Sequence, residues 1–284
     1  MPYEAEISRT QRAYVVLLID QSGSMETPFF GGDRPKSEEV ADALNRLVHE
    51  LVQRAAQEDP SKIKNLYDIS IIGYNDTVRS LFCGALADKD MVTISELRDH
   101  PARIEERTQM RPDNAGGVVP VPVRFPVWVE TDALGLTDMS AALDYAHDLV
   151  SEWVSQNTRS FPPIVINLTD GLATGESPVA AATRLRSLAT QDGQVLLFNA
   201  HVTADRHEPM LYPENHDTLP PEGQLLFQMS SELPDRVREI AGSLGVRARY
   251  GSRGLVFNGN VVDVINLLDI GTRFVPPAAG AHAR

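Results

Sequence analysis

The sequence predicts an α/β fold: a doubly wound, mostly parallel central sheet with helices on both faces and one antiparallel edge strand. Three observations lead there. Segments 14–19 and 163–169 are near-continuously apolar, as strands covered on both faces are. Stretches with helical 3.6-residue periodicity alternate with them. Two strand ends run into Asp-containing turns, Asp20-Gln21-Ser22-Gly23 and Thr169-Asp170-Gly171, and ligands of doubly wound sheets sit at such ends.

The elements follow in order. The first strand covers 14–19. A loop over 21–36 is marked by Gly23, Pro28, Gly31, Gly32 and Pro35. Ser37 is placed to cap a helix, with Glu38 and Glu39 in its first turn and Val40, Leu44, Leu47, Val48, Leu51, Val52 and Ala55 on one stripe. Segment 66–74 reads as a strand, and Asn75-Asp76 turns it into an antiparallel partner at 77–82. From 83 to 131 the pattern is irregular, broken by Pro101, Pro112, Pro120, Pro122 and Pro126. It is read as an insertion, with a short helix near 93–99 and a strand near 123–129. Its Arg98, Arg103, Arg107 and Arg111 alternate with Glu96, Asp99, Glu105 and Glu106, which fits a solvated ion-paired surface. A helix over 140–154, a strand over 163–169 and a helix opened by Ser177-Pro178 and running to 190 come next. A strand at 194–202, a loop at 203–222, short helices at 222–229 and 235–243, a strand at 254–258 and a helix at 261–268 complete the pattern. No linker divides it, so one domain is expected over 1–284, with its core at about 12–270.

Composition sets the function classes. At 284 residues and 42% hydrophobic content the chain can bury a core without staples. A net charge of −13 argues against nucleic acid and anionic membrane as partners. Cys83 is the one cysteine, which excludes an intramolecular disulfide and a four-cysteine zinc site. No apolar run approaches the ~18 residues of a membrane span. Arg9 and Arg12 ahead of the apolar run resemble a signal peptide, but Asp20 ends the run and no small-residue cleavage site follows. A cytoplasmic protein is expected.

The chemistry gathers at the strand ends. Asp20, Ser22 and Ser24 alternate around a turn opened by Gly23. Thr137, ahead of the 140–154 helix, and Asp170 add two further oxygens from separate loops. Five oxygen donors with neither sulfur nor imidazole suit a hard cation, Mg2+ first, then Mn2+ or Ca2+.

Asp-x-Ser-x-Ser at 20–24, the distant Thr137 and Asp170 after an apolar strand resemble the metal-ion-dependent adhesion site (MIDAS) of von Willebrand factor type A (VWA) domains. The order of elements is similar over roughly 12–270. The resemblance implies that the serine hydroxyls bind the metal directly while the aspartates act largely through water. It implies an open coordination position that a partner protein fills with an Asp or Glu carboxylate; the net charge of −13, which repels acidic surfaces, adds that this carboxylate is expected in a neutral or basic patch. Within the family the sequence resembles the cytosolic, bacterial TerY-like branch. That implies a role in tellurite and stress resistance or defence, beside kinase, phosphatase or ATPase partners.

The other readings are kept beside this one. An Mg2+-dependent phosphohydrolase or phosphotransferase would use Asp20 as nucleophile, but Ser22 stands where such enzymes place a second carboxylate. No Gly-x-Ser-x-Gly elbow, phosphate loop or dinucleotide fingerprint occurs. Asp138 reads as a first-turn carboxylate. His201, Asp205 and His207 form no strong metal spacing, and a hydrogen-bonded loop histidine is the plainer reading. Trp128 and Trp153 read as core, Cys83 as a structural thiol, and His49 and His147 as helix-surface or boundary residues.

Overall fold

Strand β1 (Ala13–Asp20) is the axis of the molecule, buried at all eight positions. The computed structural model describes residues 2–56, 64–113, 117–171, 173–204 and 207–272. After β1 come α1 (Lys36–Ala55), β2 (Tyr67–Tyr74), β3 (Val78–Ser80), β4 (Val92–Thr93), α2 (Ile94–Asp99), β5 (Arg103–Pro112) and β6 (Val118–Val127). The second half contains α3 (Met139–Gln156), β7 (Ile164–Thr169), α4 (Val179–Ser187), β8 (Ala189–Thr190), β9 (Gly193–Gln194) and β10 (Leu196–Val202). It ends with β11 (Met210–Leu211), α5 (Pro221–Met229), α6 (Asp235–Ser243), β12 (Leu255–Gly259) and α7 (Val261–Thr272).

The main sheet runs β11-β12-β10-β7-β1-β2-β3, with β4 also paired to β2. The β12/β10, β10/β7, β7/β1 and β1/β2 pairs are parallel. This is the predicted α/β class. One antiparallel edge strand was expected; β3 and β4 pair antiparallel with β2 at one edge, and β11 pairs so with β12 at the other.

Period-two alternation explains why one strand is apolar throughout. Tyr14, Val16 and Leu18 pack with Leu143, Ala146 and Val150 of α3, Leu185 of α4 and Leu226 of α5. Val15, Leu17 and Ile19 face the other way, with Leu44 and Val48 of α1, Val237 of α6 and Leu267 of α7. Both tryptophans are core, as expected. Trp128 Nε1 donates to Leu97 O at 2.7 Å and Trp153 Nε1 to Asp68 Oδ2 at 2.8 Å.

Segment 83–131, expected to be irregular apart from a short helix near 93–99 and a strand near 123–129, holds that helix as α2 and, around the expected strand, a ten-pair antiparallel ribbon of β5 and β6. Its base is tied to α1: the buried Asn45 side chain accepts from Trp128 N and Val129 N and donates to Val129 O. Arg107 pairs with Asp42 at 2.9 Å and lies 3.8 Å above the Phe125 ring. Two helix starts also differ from expectation. Helix α1 begins at Lys36 with Pro35 in the capping position, so Ser37 is inside it; α4 begins at Val179 after Pro178 and ends at Ser187.

A buried polar chain crosses the sheet on the α3 side. Tyr74 OH donates to Asn167 Oδ1 (2.8 Å), Asn167 Nδ2 to Asn199 Oδ1 (3.0 Å), and Asn199 Nδ2 to Ser230 Oγ (2.9 Å). All four residues are fully buried. Asn167→Leu strips partners from the Tyr74 hydroxyl and the Asn199 amide together. It is expected to lower unfolding stability by about 1–3 kcal/mol per group left unpaired. A fall in the urea midpoint at unchanged m-value is the readout; an unchanged midpoint contradicts the cost assigned to the chain.

Candidate metal centre

The sheet reverses its winding between β1 and β7. From β1 the chain builds β2 and β3 on one side, then returns to place β7, β10 and β12 on the other. Loops diverge at such a switch point and leave a crevice beyond the carboxyl ends of the two strands. Asp20 is the last residue of β1, and Asp170 follows the last residue of β7.

Direct hydrogen bonds join four of the five predicted residues. Asp20 Oδ1 accepts from Ser22 N at 2.8 Å. The Ser22 and Ser24 hydroxyls share a bond of 3.0 Å, and Ser24 Oγ donates to Asp170 Oδ1 at 2.6 Å. Asp20 Oδ2 is held by Thr169 Oγ1 at 2.7 Å. Asp20 is wholly buried, and burial raises its pKa, opposed by its bonds to Ser22 and Thr169.

Thr137 enters through its backbone. Gly23 N donates to Gly135 O at 3.2 Å, and Leu134 N to Gln21 O at 2.7 Å. Thr137 N donates to Thr174 Oγ1, and Thr174 N to Thr137 O, which fastens this loop to the one after Asp170. The Thr137 hydroxyl is bonded to none of the other four residues among the described contacts. Gly135, at φ +83°, lets this loop pass against the turn between β2 and β3, where an added Cβ would lie 2.3 Å from Asp76 Oδ2. Asp138 is not a donor to the centre; it caps α3 by accepting from Ala141 N at 3.0 Å.

Three residues at the centre were not singled out from sequence. Gln21 braces the Thr137 loop, since its Oε1 accepts from Asp132 N at 2.7 Å. Thr169 orients Asp20. Lys36, the first residue of α1, places its Nζ 2.6 Å from Asp170 Oδ2, with both side chains almost completely buried. That oxygen takes part in no aligned hydrogen bond, so the contact is an ion pair.

The residues fit a hard cation. Asp170 Oδ2 is a buried carboxylate oxygen, and the group beside it at 2.6 Å is a cation. The neighbouring donors are hydroxyl and carboxylate oxygens. Among the described residues no three His, Cys, Asp or Glu side chains cluster for a metal, so a bound ion here would depend on hydroxyls as much as on carboxylates.

Among the described residues no cluster of metal-ligating side chains surrounds His201. Its ring is buried and stacked on Phe257, centroids 4.5 Å apart, and burial pushes its pKa down. His207 is exposed, and Asp205 lies outside the described residues. Cys83 is half-buried, and burial raises its thiol pKa, which does not favour a nucleophile.

No helix among the described residues is long and apolar enough to cross a membrane. No family model and no curated protein matches the sequence. Solved structures similar to this chain include proximal thread matrix protein 1 from the mussel byssus, 12% identical at a TM-score of 0.47, covering 95% of this chain and 49% of that one. They include the pilus adhesin SpaC from Lactobacillus rhamnosus GG, 13% identical at a TM-score of 0.41, covering 78% and 28%. The vWF domain of the type V pili tip protein Mfa5 from Porphyromonas gingivalis is also similar: 13% identical, TM-score 0.30, coverage 57% and 39%. This chain thus spans less than half the length of each of these three chains.

Proposed function

We propose that this protein is a Mg2+-dependent protein-interaction module. In this reading Asp20, Ser22, Ser24, Thr137 and Asp170 hold the ion, and a partner's Asp or Glu completes its shell. The observation that carries it is the joined set Asp20–Ser22–Ser24–Asp170 at the switch point, whose buried Asp170 carboxylate already draws a cation, the Lys36 ammonium. The ion's contribution is electrophilic: it would attract an anionic oxygen. The protein's contribution is to fix the hydroxyls and carboxylates beforehand and to shape the surrounding surface. Leu134 and Leu136 flank Gly135 on the Thr137 loop and are 70% and 59% exposed. A partner that fits presents one carboxylate beside apolar surface.

The enzymatic alternative is disfavoured by the state of Asp20. Its carboxylate is fully buried, and both oxygens accept hydrogen bonds, from Ser22 N and Thr169 Oγ1. A nucleophilic oxygen needs an approachable lone pair, and Ser22 cannot supply the acid/base step. Sustained hydrolysis of p-nitrophenyl phosphate with Mg2+, lost in Asp20→Asn, would reverse this ranking.

The finer assignment is to a cytoplasmic, TerY-like stress or defence assembly with a kinase, phosphatase or ATPase partner. It is part of the proposal and rests on the sequence resemblance.

Two measurements test the metal reading. Wild-type protein is expected to bind one Mn2+ by isothermal titration, and Asp20→Ala or Ser22→Ala to weaken binding at least tenfold; equal affinity in all three contradicts the site. EDTA is expected to lower the melting temperature while far-ultraviolet circular dichroism persists, because the core is assembled away from the rim. The gain on metal binding is RT ln(1 + [L]/Kd), about 2.7 kcal/mol at a hundredfold excess over Kd. Unfolding in EDTA at room temperature would contradict a rim site.

A further inference from the structure

We infer that Lys36 is a tethered counter-cation of the metal centre: its ammonium holds Asp170 in the metal-free protein and competes with the divalent ion for that carboxylate. The inference rests on the metal reading above and adds a control of affinity to it.

The position of Lys36 opposes ordinary lysine preferences in three ways. Lysine is almost never buried without a partner, yet this side chain is 4% exposed. It occupies the first position of a twenty-residue helix, where the helix dipole disfavours a positive charge. Ordering its long stem also costs rotamer entropy. What opposes these costs is the Asp170 carboxylate, 2.6 Å away, the one acidic side chain within ion-pair distance of Lys36 among the described residues. The backbone fixes the approach: Lys36 N donates to Thr27 O at 3.1 Å, and Pro28 and Pro35 form an antiparallel bridge. These contacts close a loop over 27–36 directly after the metal loop, and Met25 between the two is wholly buried in the core.

In this state both Asp170 oxygens are engaged, Oδ1 by the Ser24 hydroxyl and Oδ2 by the ammonium. A divalent ion using Asp170, directly or through water, meets a unit positive charge already at that carboxylate. Repulsion between the two cations in a poorly hydrated site is large compared with the same pair in water. The flexible lysine stem allows the ammonium to withdraw, and Asp170 then passes from one cation to the other. Lys36 therefore keeps the empty site from holding an unpaired buried carboxylate and lowers its affinity for metal. A site tuned this way releases its ion readily when no partner carboxylate adds to the shell.

The test uses Lys36→Met, which keeps the apolar stem and removes the charge, beside Lys36→Gln and the charge-retaining Lys36→Arg. Mn2+ affinity is measured by titration at fixed ionic strength, and melting is measured in EDTA and in Mn2+. The expected result is Mn2+ binding at least tenfold tighter in Lys36→Met than in wild type, with Lys36→Arg remaining weak. Lys36→Met should also melt below wild type in EDTA and gain more from Mn2+ than wild type gains. If Lys36→Met loses its circular dichroism, Lys36→Gln decides by the same readouts. Equal or weaker binding in the charge-removed variants, with wild type still binding, overturns the counter-cation role and leaves the metal reading standing. Absence of binding in all of these proteins at millimolar Mn2+ overturns both.

Discussion

The rim of this molecule depends on keeping two carboxylates close together at the end of a buried parallel sheet. Asp20 and Asp170 are carried there by neighbouring strands, and burial first, with the Asp170 charge adding to it, raises the cost of ionising Asp20. The structure spreads that cost over several donors. Ser22 N and Thr169 Oγ1 serve Asp20; Ser24 Oγ and the Lys36 ammonium serve Asp170. Ser22 and Ser24 come from the turn after β1, Thr169 from the end of β7 and Lys36 from the start of α1. The conformations of the 20–24 loop, the start of α1 and the loop after β7 are therefore coupled through the same two side chains. The Thr137 loop joins them through Gln21, whose backbone and side chain both hold it.

The core beneath is not purely apolar, and the polar chain from Tyr74 to Ser230 has a positional logic. Tyr74 ends β2 beside Asp20, its backbone O accepts from Gln21 N, and its hydroxyl starts the Asn167–Asn199 series. Nearby Asp20 and Asp170 add to burial in keeping the Tyr74 phenol neutral. A neutral donor suits that place, because its proton is committed to Asn167. Directional bonds across three strands fix the relative heights of β2, β7 and β10 more sharply than non-directional apolar packing does. The strand ends that carry the centre inherit that registration.

The strands and four of the joined residues were legible because their signals are local. An apolar run ending in Asp, or in Thr-Asp-Gly, reports a buried strand and its exit in a few residues. Lys36 was not legible, since a lysine at a helix start reads as solvated and its burial exists only through Asp170, far along the chain. Of the β5–β6 ribbon only a strand near 123–129 was expected, because Pro120, Pro122 and Pro126 read as breakers. They stand opposite Met110, Thr108 and Ile104, all at positions of the same parity. In a two-stranded ribbon that parity turns the missing N–H toward the free edge, so the ladder loses no bond. Ser37 was expected to cap α1 because capping chemistry is read from residue type. Pro35 took that place instead, with the chain entering the helix from the bridge between Pro28 and Pro35.

The overall charge of −13 and the proposed affinity for a partner carboxylate act over different distances. At physiological salt the Debye length is about 8 Å, so most of the negative surface is screened from a docked partner while the centre is not. Two carboxylates and one ammonium leave the metal-free centre with a single formal negative charge, which repels an approaching Asp or Glu. Under the proposed function a bound divalent ion brings that sum to plus one while Lys36 stays near and to zero once it withdraws, so the repulsion is removed in either case. In that reading the ion removes the local repulsion as well as forming a bond. Exposed Leu134 and Leu136 do not change with the ion, and the area they offer contributes only once the charge conflict is removed. Under the proposed function, affinity comes from apolar burial beside the rim, and the permission to use it comes from the cation.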